Sequence, residues 1–284
     1  TAFFEIEWGF EGDTGDATRT AGDGVMRTRH NHVGLTGSYG TVLLGRVDGG
    51  RATFSKVYDP FRGVGVGNFG GLATQLTVVN NAAVYVSPEW KGLSVVGAYV
   101  TAAAGDEAPG NVGDTRIYVI WPTYKIGNLQ VSWDHEEVWV AKSSYPRLKV
   151  DNLGATYDFG VAKLFGQFDR TRASGGFFNG VLDDQKAWMV GATVPVSAQG
   201  VVKASYGHVK RDNLVDFTCK KLAVGYQHTL SKRTSLYADV AKISNSDGAN
   251  CQLGLRNEDG NLEGFASKAV YGTRGIDVGL SHSF

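Results

Sequence analysis

The sequence predicts an all-β fold, an antiparallel transmembrane β-barrel built as one domain over residues 1–284. Three observations point there. Apolar and polar side chains alternate along runs of about 9–13 residues through the whole chain, the period of a strand with two unlike faces. The connections between these runs sort by length, short ones alternating with long Gly-, Asp- and Asn-rich ones. That is the pattern of an up-and-down barrel with turns at one rim and loops at the other. The chain ends on Ile276, Val278, Leu280 and Phe284 at alternate positions, with only His282 interrupting the row. An aromatic at the tip of an amphipathic strand suits the boundary between hydrocarbon and headgroups. That strand alone fits a soluble sandwich equally well; the sorted connections favour the barrel.

Composition narrows the class further. Lys plus Arg equals Asp plus Glu, 28 against 28, so no net charge points to nucleic acid. No apolar run approaches the roughly 18 residues of a membrane-spanning helix, whereas a barrel strand needs only about 9–11, half of them apolar. The 39 glycines suit tight turns and bulges and would weaken helices, each interior Gly costing a helix about 1 kcal/mol. The 14 Phe, 12 Tyr and 6 Trp suit aromatic girdles. No signal peptide or signal-anchor segment is present, as in a mature form or an N-terminally incomplete chain. The two cysteines, Cys219 and Cys251, read as a disulfide in an oxidising compartment, two unrelated thiols being the alternative.

The strands follow in order. The first covers residues 2–10, with Ala2, Phe4, Ile6, Trp8 and Phe10 on one face and Glu5, Glu7 and Gly9 on the other. A second, near 27–36, turns at Ser38-Tyr39-Gly40 into a third at 41–48. Residues 49–74 show no clear period. Strands then fall at 75–87, 93–101, 115–124, 129–140, 148–159, 161–172, 185–196, 201–210, 220–230, 234–243 and 272–284, about fourteen in all. An even count brings both ends to the rim of the short turns, and unpaired backbone in hydrocarbon, at several kcal/mol per group, requires the sheet to close.

Several segments then carry a resemblance. Asn80-Asn81 leading to Tyr85 and Ser87-Pro88-Glu89, the run LGATYDFGVAKLFGQ at 153–167, Thr193–Pro195 with Gly200, LSKRTSLYA at 230–238 and the terminal strand resemble a Gram-negative general porin of the neisserial/β-proteobacterial type. The resemblance covers essentially the whole chain. It implies a passive diffusion channel in the outer membrane of a Gram-negative bacterium, for small hydrophilic solutes and ions. It also implies a homotrimer among outer-membrane lipid and lipopolysaccharide, no cofactor, no metal and no catalysis. Family members have sixteen strands. Residues 1–11 resemble their third strand and 31–45 their fourth and fifth, so two strands have no counterpart here. A continuous ladder between 1–11 and 272–284 would instead make a fourteen-strand barrel.

The family folds its third extracellular loop into the barrel, and by that offset the loop is 49–74. Its centre, Tyr58 to Arg62, resembles the constriction segment. Asp59 is then the acid of the eyelet, a solvated turn residue before Pro60 being the plainer reading, with Lys56 and Arg62 nearby. Arg29 resembles a lumen Arg of the family; it shares parity with the lipid-facing Val33 and Leu35 unless a bulge intervenes. Val78 and Val84 stand where the family often has Arg or Lys, which removes positive charge from the wall. Alternation leaves Lys163 and Lys203 as lumen cations and Glu5, Glu7, Asp134, Glu136, Asp158 and Asp169 as lumen acids. The balance leans towards cations. Arg46 shares outward parity with Val42 and Leu44 and, in this family, would meet a neighbouring subunit through Asp13, Asp16 or Asp23, unless it only snorkels at the interface. Phe284 would be the assembly signal.

Two motifs are set aside. Residues 65–70 fit G-x-G-x-x-G but lie in a loop with no βαβ unit around them. His30 and His32 alternate on one strand face with no third metal ligand legible in the sequence, and a rim position suits them better. A substrate-specific channel or an outer-membrane barrel enzyme are the rival functions; no Ser/His or Asp/His constellation supports the latter.

Overall fold

In the computed structural model, fourteen strands form one antiparallel sheet in strict sequence order. They are β1 (Ala2–Trp8), β2 (Thr28–Gly37), β3 (Gly40–Asp48), β4 (Val78–Val86), β5 (Leu93–Val100), β6 (Arg116–Ile126) and β7 (Leu129–Trp139), then β8 (Leu148–Asp158), β9 (Lys163–Ala173), β10 (Asp184–Pro195), β11 (Gly200–Asp212), β12 (Phe217–Thr229), β13 (Thr234–Ser246) and β14 (Arg274–His282). Among the described residues one helix, α1 (Gly50–Tyr58), follows β3, and the two-residue pieces Gln75–Leu76 and Leu262–Glu263 pair with each other apart from the sheet. The structure describes residues 1–8, 28–69, 75–76, 78–102, 115–140, 147–174, 184–212, 217–246, 249, 251, 253, 262–263 and 272–283.

Most strands are two-faced, with the apolar face outward, the inverse of a water-soluble protein. Phe4, Val33, Leu44, Ile120, Leu153, Leu222, Val224 and Val278 point outward and are exposed, Val278 by 75%. Asp134, Asn152, Asp169 and Gln185 point inward at 0%. Neighbouring strands keep this in step: Ala223 faces Ala241 inward while Val224 faces Val240 outward. An outward apolar belt of this extent requires a hydrocarbon surround, and no helix among the described residues is long and apolar enough to cross a membrane.

The two ends meet the short-turn rim. The Thr1 amine donates to the Thr36 carbonyl at 2.7 Å beside the Ser38-Tyr39 turn, and the Ser283 amide to Arg233 at 2.8 Å beside the 230–233 turn. Among the described residues β1 ladders only to β2 and β14 only to β13; no ladder joins 1–11 to 272–284.

Two bulges re-aim side chains. Between Gly45 and Val47 the β3–β4 register slips, and Asn81 takes the extra place with φ 51°, a conformation Asn tolerates. Arg46 is thereby kept on the outer face, half-buried, donating to Asn80 Oδ1. The β1–β2 register slips between Ile6 and Trp8, opposite residues 28–31, where the parity of Arg29 requires a bulge. The backbone of Arg29 lies in β2; its side chain, like Phe284 and Asp13, Asp16 and Asp23, lies outside the described residues.

Cys219, the third residue of β12, and Cys251 are joined as a disulfide with Cα atoms 6.2 Å apart. Asn245 clamps the same segment, its side chain bonding both the amide and the carbonyl of Cys251 at 3.1 and 3.0 Å. Two residues on, Leu253 packs inside the wall with Val66 and Phe69.

Candidate functional site

The interior is organised by residues 49–69, which fold back inside the wall. Read from sequence, this stretch has no period; it holds α1 because the wall supplies what a nine-residue helix lacks alone. The helix starts where Gly49 turns the chain inward, and the Thr53 amide and hydroxyl close the first turn on the Gly49 carbonyl. Glu136 of β7 accepts the Arg51 amide at 2.8 Å, a carboxylate at the positive end of the helix. That approach needs glycine at position 50, where a Cβ would fall 2.3 Å from Glu136 Oε1.

The Arg51 side chain anchors the helix to β9. Its guanidinium pairs with Asp169 and donates to Thr171, and all three are buried. One turn on, Phe54 and Tyr58 stack at 4.5 Å between ring centroids, with Trp121 at 5.4 Å from Phe54. The Tyr58 hydroxyl shares a hydrogen bond with Ser132 and accepts one from Gln130 at 3.1 Å. Gly154 leaves the room, since a Cβ there would sit 2.5 Å from Tyr58.

After the helix the chain crosses to the opposite strands. Asp59 is fully buried, and its carboxylate accepts the Phe61 and Phe69 amides at 2.9 and 2.7 Å. Burial pushes its carboxyl above the usual range, outweighing those amides and the nearby Lys221 ammonium. Pro60 lies against Gly191, Phe61 covers Lys203 at 4.8 Å, Lys221 donates to the Asn68 carbonyl, and Val66 donates to Asp277 at 2.9 Å. Residues 49–69 are thus fastened to β7, β9, β10, β12 and β14.

This geometry corrects two residue roles expected from sequence. Asp59 does not face open lumen: the segment needs a buried acceptor for two amides, and the residue before Pro60 supplies it. Lys203 is not a free lumen cation, because Asp239 holds its ammonium at 3.0 and 3.2 Å beneath Phe61. The remaining predicted residues fall as follows. Asp134, bonded by Asn152 at 2.7 Å, is buried in the wall beneath α1. Lys56 pairs with Asp48, Arg62 is exposed at a turn with φ 55°, and Lys163 stands over Phe165. Asp158 accepts the Gly160 amide at 2.7 Å as a turn cap.

A cavity of about 420 Å³ remains between α1 and β1–β7, lined by Glu5, His30, His32, Asp48, Thr53, Glu136 and a broad apolar surface. At its mouth His30 Nδ1 meets Glu5 and Glu7 at 2.6 and 3.0 Å, and His30 Nε2 meets Asp48 at 3.1 Å. Among the described residues, Glu5, Glu7 and His30 bring their ligand atoms within 4.8 Å of one another, close enough to share a metal ion. The histidine pair of the sequence therefore has acidic neighbours that strand pairing alone brings in. Sequence reading also missed Arg51, which shows no period, and Arg211 and Lys221, which point inward by alternation but lie at or beyond the ends of the strands as read from sequence. Arg211 donates to Gln185 at 2.8 Å, beside Asp169.

A sheet with an apolar outside and a charged inside narrowed by its own loop defines a membrane channel of the outer-membrane type. A family model described as Gram-negative porin matches residues 1–248, and the chain belongs to that family. It is an outer-membrane porin. It is 30% identical over 303 aligned positions to outer membrane porin protein 32 of Delftia acidovorans, covering all of this chain and 80% of that relative. Among solved structures it resembles the anion-selective porin of Comamonas acidovorans, at 27% identity and a TM-score of 0.77, covering all of this chain and 84% of that one. It also shares the fold of OmpT from Vibrio cholerae in its trimer form, at 16% identity and a TM-score of 0.67, covering 92% and 82%.

Proposed function

We propose that the chain forms a water-filled channel for passive diffusion of small hydrophilic solutes and ions, that residues 49–74 set its constriction, and that the passage prefers cations. The observation that carries this is the lining of the cavity between α1 and β1–β7. Among the described residues its charged groups are the carboxylates of Glu5, Asp48 and Glu136 with two histidines, and no Lys or Arg among those residues lines it. Lumen charge selects ions through field strength at close range, so this lining favours the opposite sign from the anion-selective relative. The channel performs no catalytic step. It assembles as a homotrimer, as OmpT has been solved, with Arg46 on the outer wall as the subunit contact, embedded in outer-membrane lipid and lipopolysaccharide.

Planar-bilayer recording tests this reading. Insertions are expected as threefold conductance steps, with a reversal potential in a KCl gradient that has the sign of cation preference. Arg46→Ala is expected to turn the triple steps into single ones. Absence of stepwise conductance would sink the channel reading, and an anion-preferring potential would sink the assignment of the lining.

A further inference from the structure

The cavity wall opposite the carboxylates is unlike a general diffusion lumen. Val84, Val86, Val96, Ala98, Val119 and Trp121, from three adjacent strands, present a continuous apolar surface inward. Alternation gives these strands an inward apolar face in addition to their outward one, in a protein whose lumen elsewhere holds Asp, Asn, Gln, Lys and Arg. Val84 and Val119 pack on one side against Val47, Val79 and Ile117, and Val96 against Trp121 beside α1; the side they turn to the cavity is hydrocarbon. Across the cavity Glu5 and Glu136, with Asp48 shared with Lys56, supply negative charge, and the volume of about 420 Å³ falls within the range of small-molecule sites.

We propose that this cavity is a binding site for organic cations with a hydrocarbon body, such as primary alkyl- or arylalkylammonium ions. The ammonium group lies towards the Glu5, Asp48 and Glu136 carboxylates and the hydrocarbon lies on the valine wall. Charge sets the orientation, and apolar contact sets the residence time. Small inorganic cations feel only the first of these. Organic anions of the same length reach the wall only with their carboxylate against the acids. This deepens the channel reading given above and rests on it.

The test is current block by a homologous series. Ethyl-, butyl- and hexylammonium chlorides are added to single channels in KCl, with butyrate and hexanoate salts as the anionic counterparts. Burial of methylene groups is expected to tighten block by about two- to fourfold per CH₂, and the carboxylates are expected to block at least tenfold more weakly than ammonium ions of equal length. Val96→Thr with Val119→Thr, which keeps volume and adds hydroxyls, is expected to flatten the series. A series flat in the native channel, as it would be if the wall were already covered, overturns the inference and leaves the porin reading intact. Equal block by ammonium and carboxylate also overturns it. A protein that gives no conductance steps overturns both, so the two failures are distinguishable.

Discussion

Arg51→Ala is expected to release α1 from the wall and widen the channel. The substitution removes the partner of Asp169, a carboxylate with no exposed surface, and one donor to Thr171. Breaking a buried pair from one side costs about 3–5 kcal/mol, because the surviving charge stays buried. The helix has little to set against that. It is nine residues long and its N-cap Gly49 makes no side-chain bond, so it leans on the Glu136 contact, the Phe54–Tyr58–Trp121 stack, the Tyr58 hydroxyl bonds to Ser132 and Gln130 and the Lys56–Asp48 pair. Single-channel recording is expected to show larger, noisier steps and weaker ion selectivity. Arg51→Lys keeps the charge without the planar fork that spans Asp169 and Thr171, and is expected to restore the native conductance only in part. Native conductance in Arg51→Ala would mean that residues 49–69 do not limit the passage.

Val224→Lys carries the second large effect, on stability. Val224 lies in the middle of β12, points outward and is 44% exposed, with Val240 and Ala204 as its cross-strand neighbours. A Lys at the hydrocarbon midplane of a barrel costs about 2–4 kcal/mol. Thr193→Lys places the same charge on the inward face of β10, half-buried and opposite Lys203 in register, on the lumen side rather than the hydrocarbon side of the wall. Unfolding in lipid vesicles is therefore expected to show a large loss for Val224→Lys and a small one for Thr193→Lys. Equal losses would contradict the assignment of faces.

Much of this was legible in the chain because a strand's period is two and a membrane enforces it on every strand. Alternation places Glu5, Glu7, Glu136 and Asp169 inward and Val224, Leu153 and Val278 outward, and strand bounds differ from those read in sequence by only a few residues. Reading failed where structure is not local. The helix α1 exists because Gly154 in β8 leaves space for Tyr58 and because Glu136 of β7 accepts the Arg51 amide beside Gly50, and no window of 50–58 encodes those distant partners. The inward acid Asp59 looked like an eyelet residue because its chemistry suits one, yet the amides of Phe61 and Phe69 claim it. Likewise His30 gathers Glu5, Glu7 and Asp48 from β1 and β3, neighbours visible only once register is fixed.

We propose that solutes pass between α1 and the valine-lined strands, with residues 49–69 fastened to the strands across from them. Both native cysteines are in the disulfide, so a single introduced thiol reports its own access. Thr53→Cys, facing the cavity, and Ala187→Cys, buried against Phe61 and Met189, are to be exposed to a cationic methanethiosulfonate during bilayer recording. Prompt, irreversible current loss is expected for Thr53→Cys and none for Ala187→Cys. Block through Ala187→Cys with Thr53→Cys unaffected would contradict it.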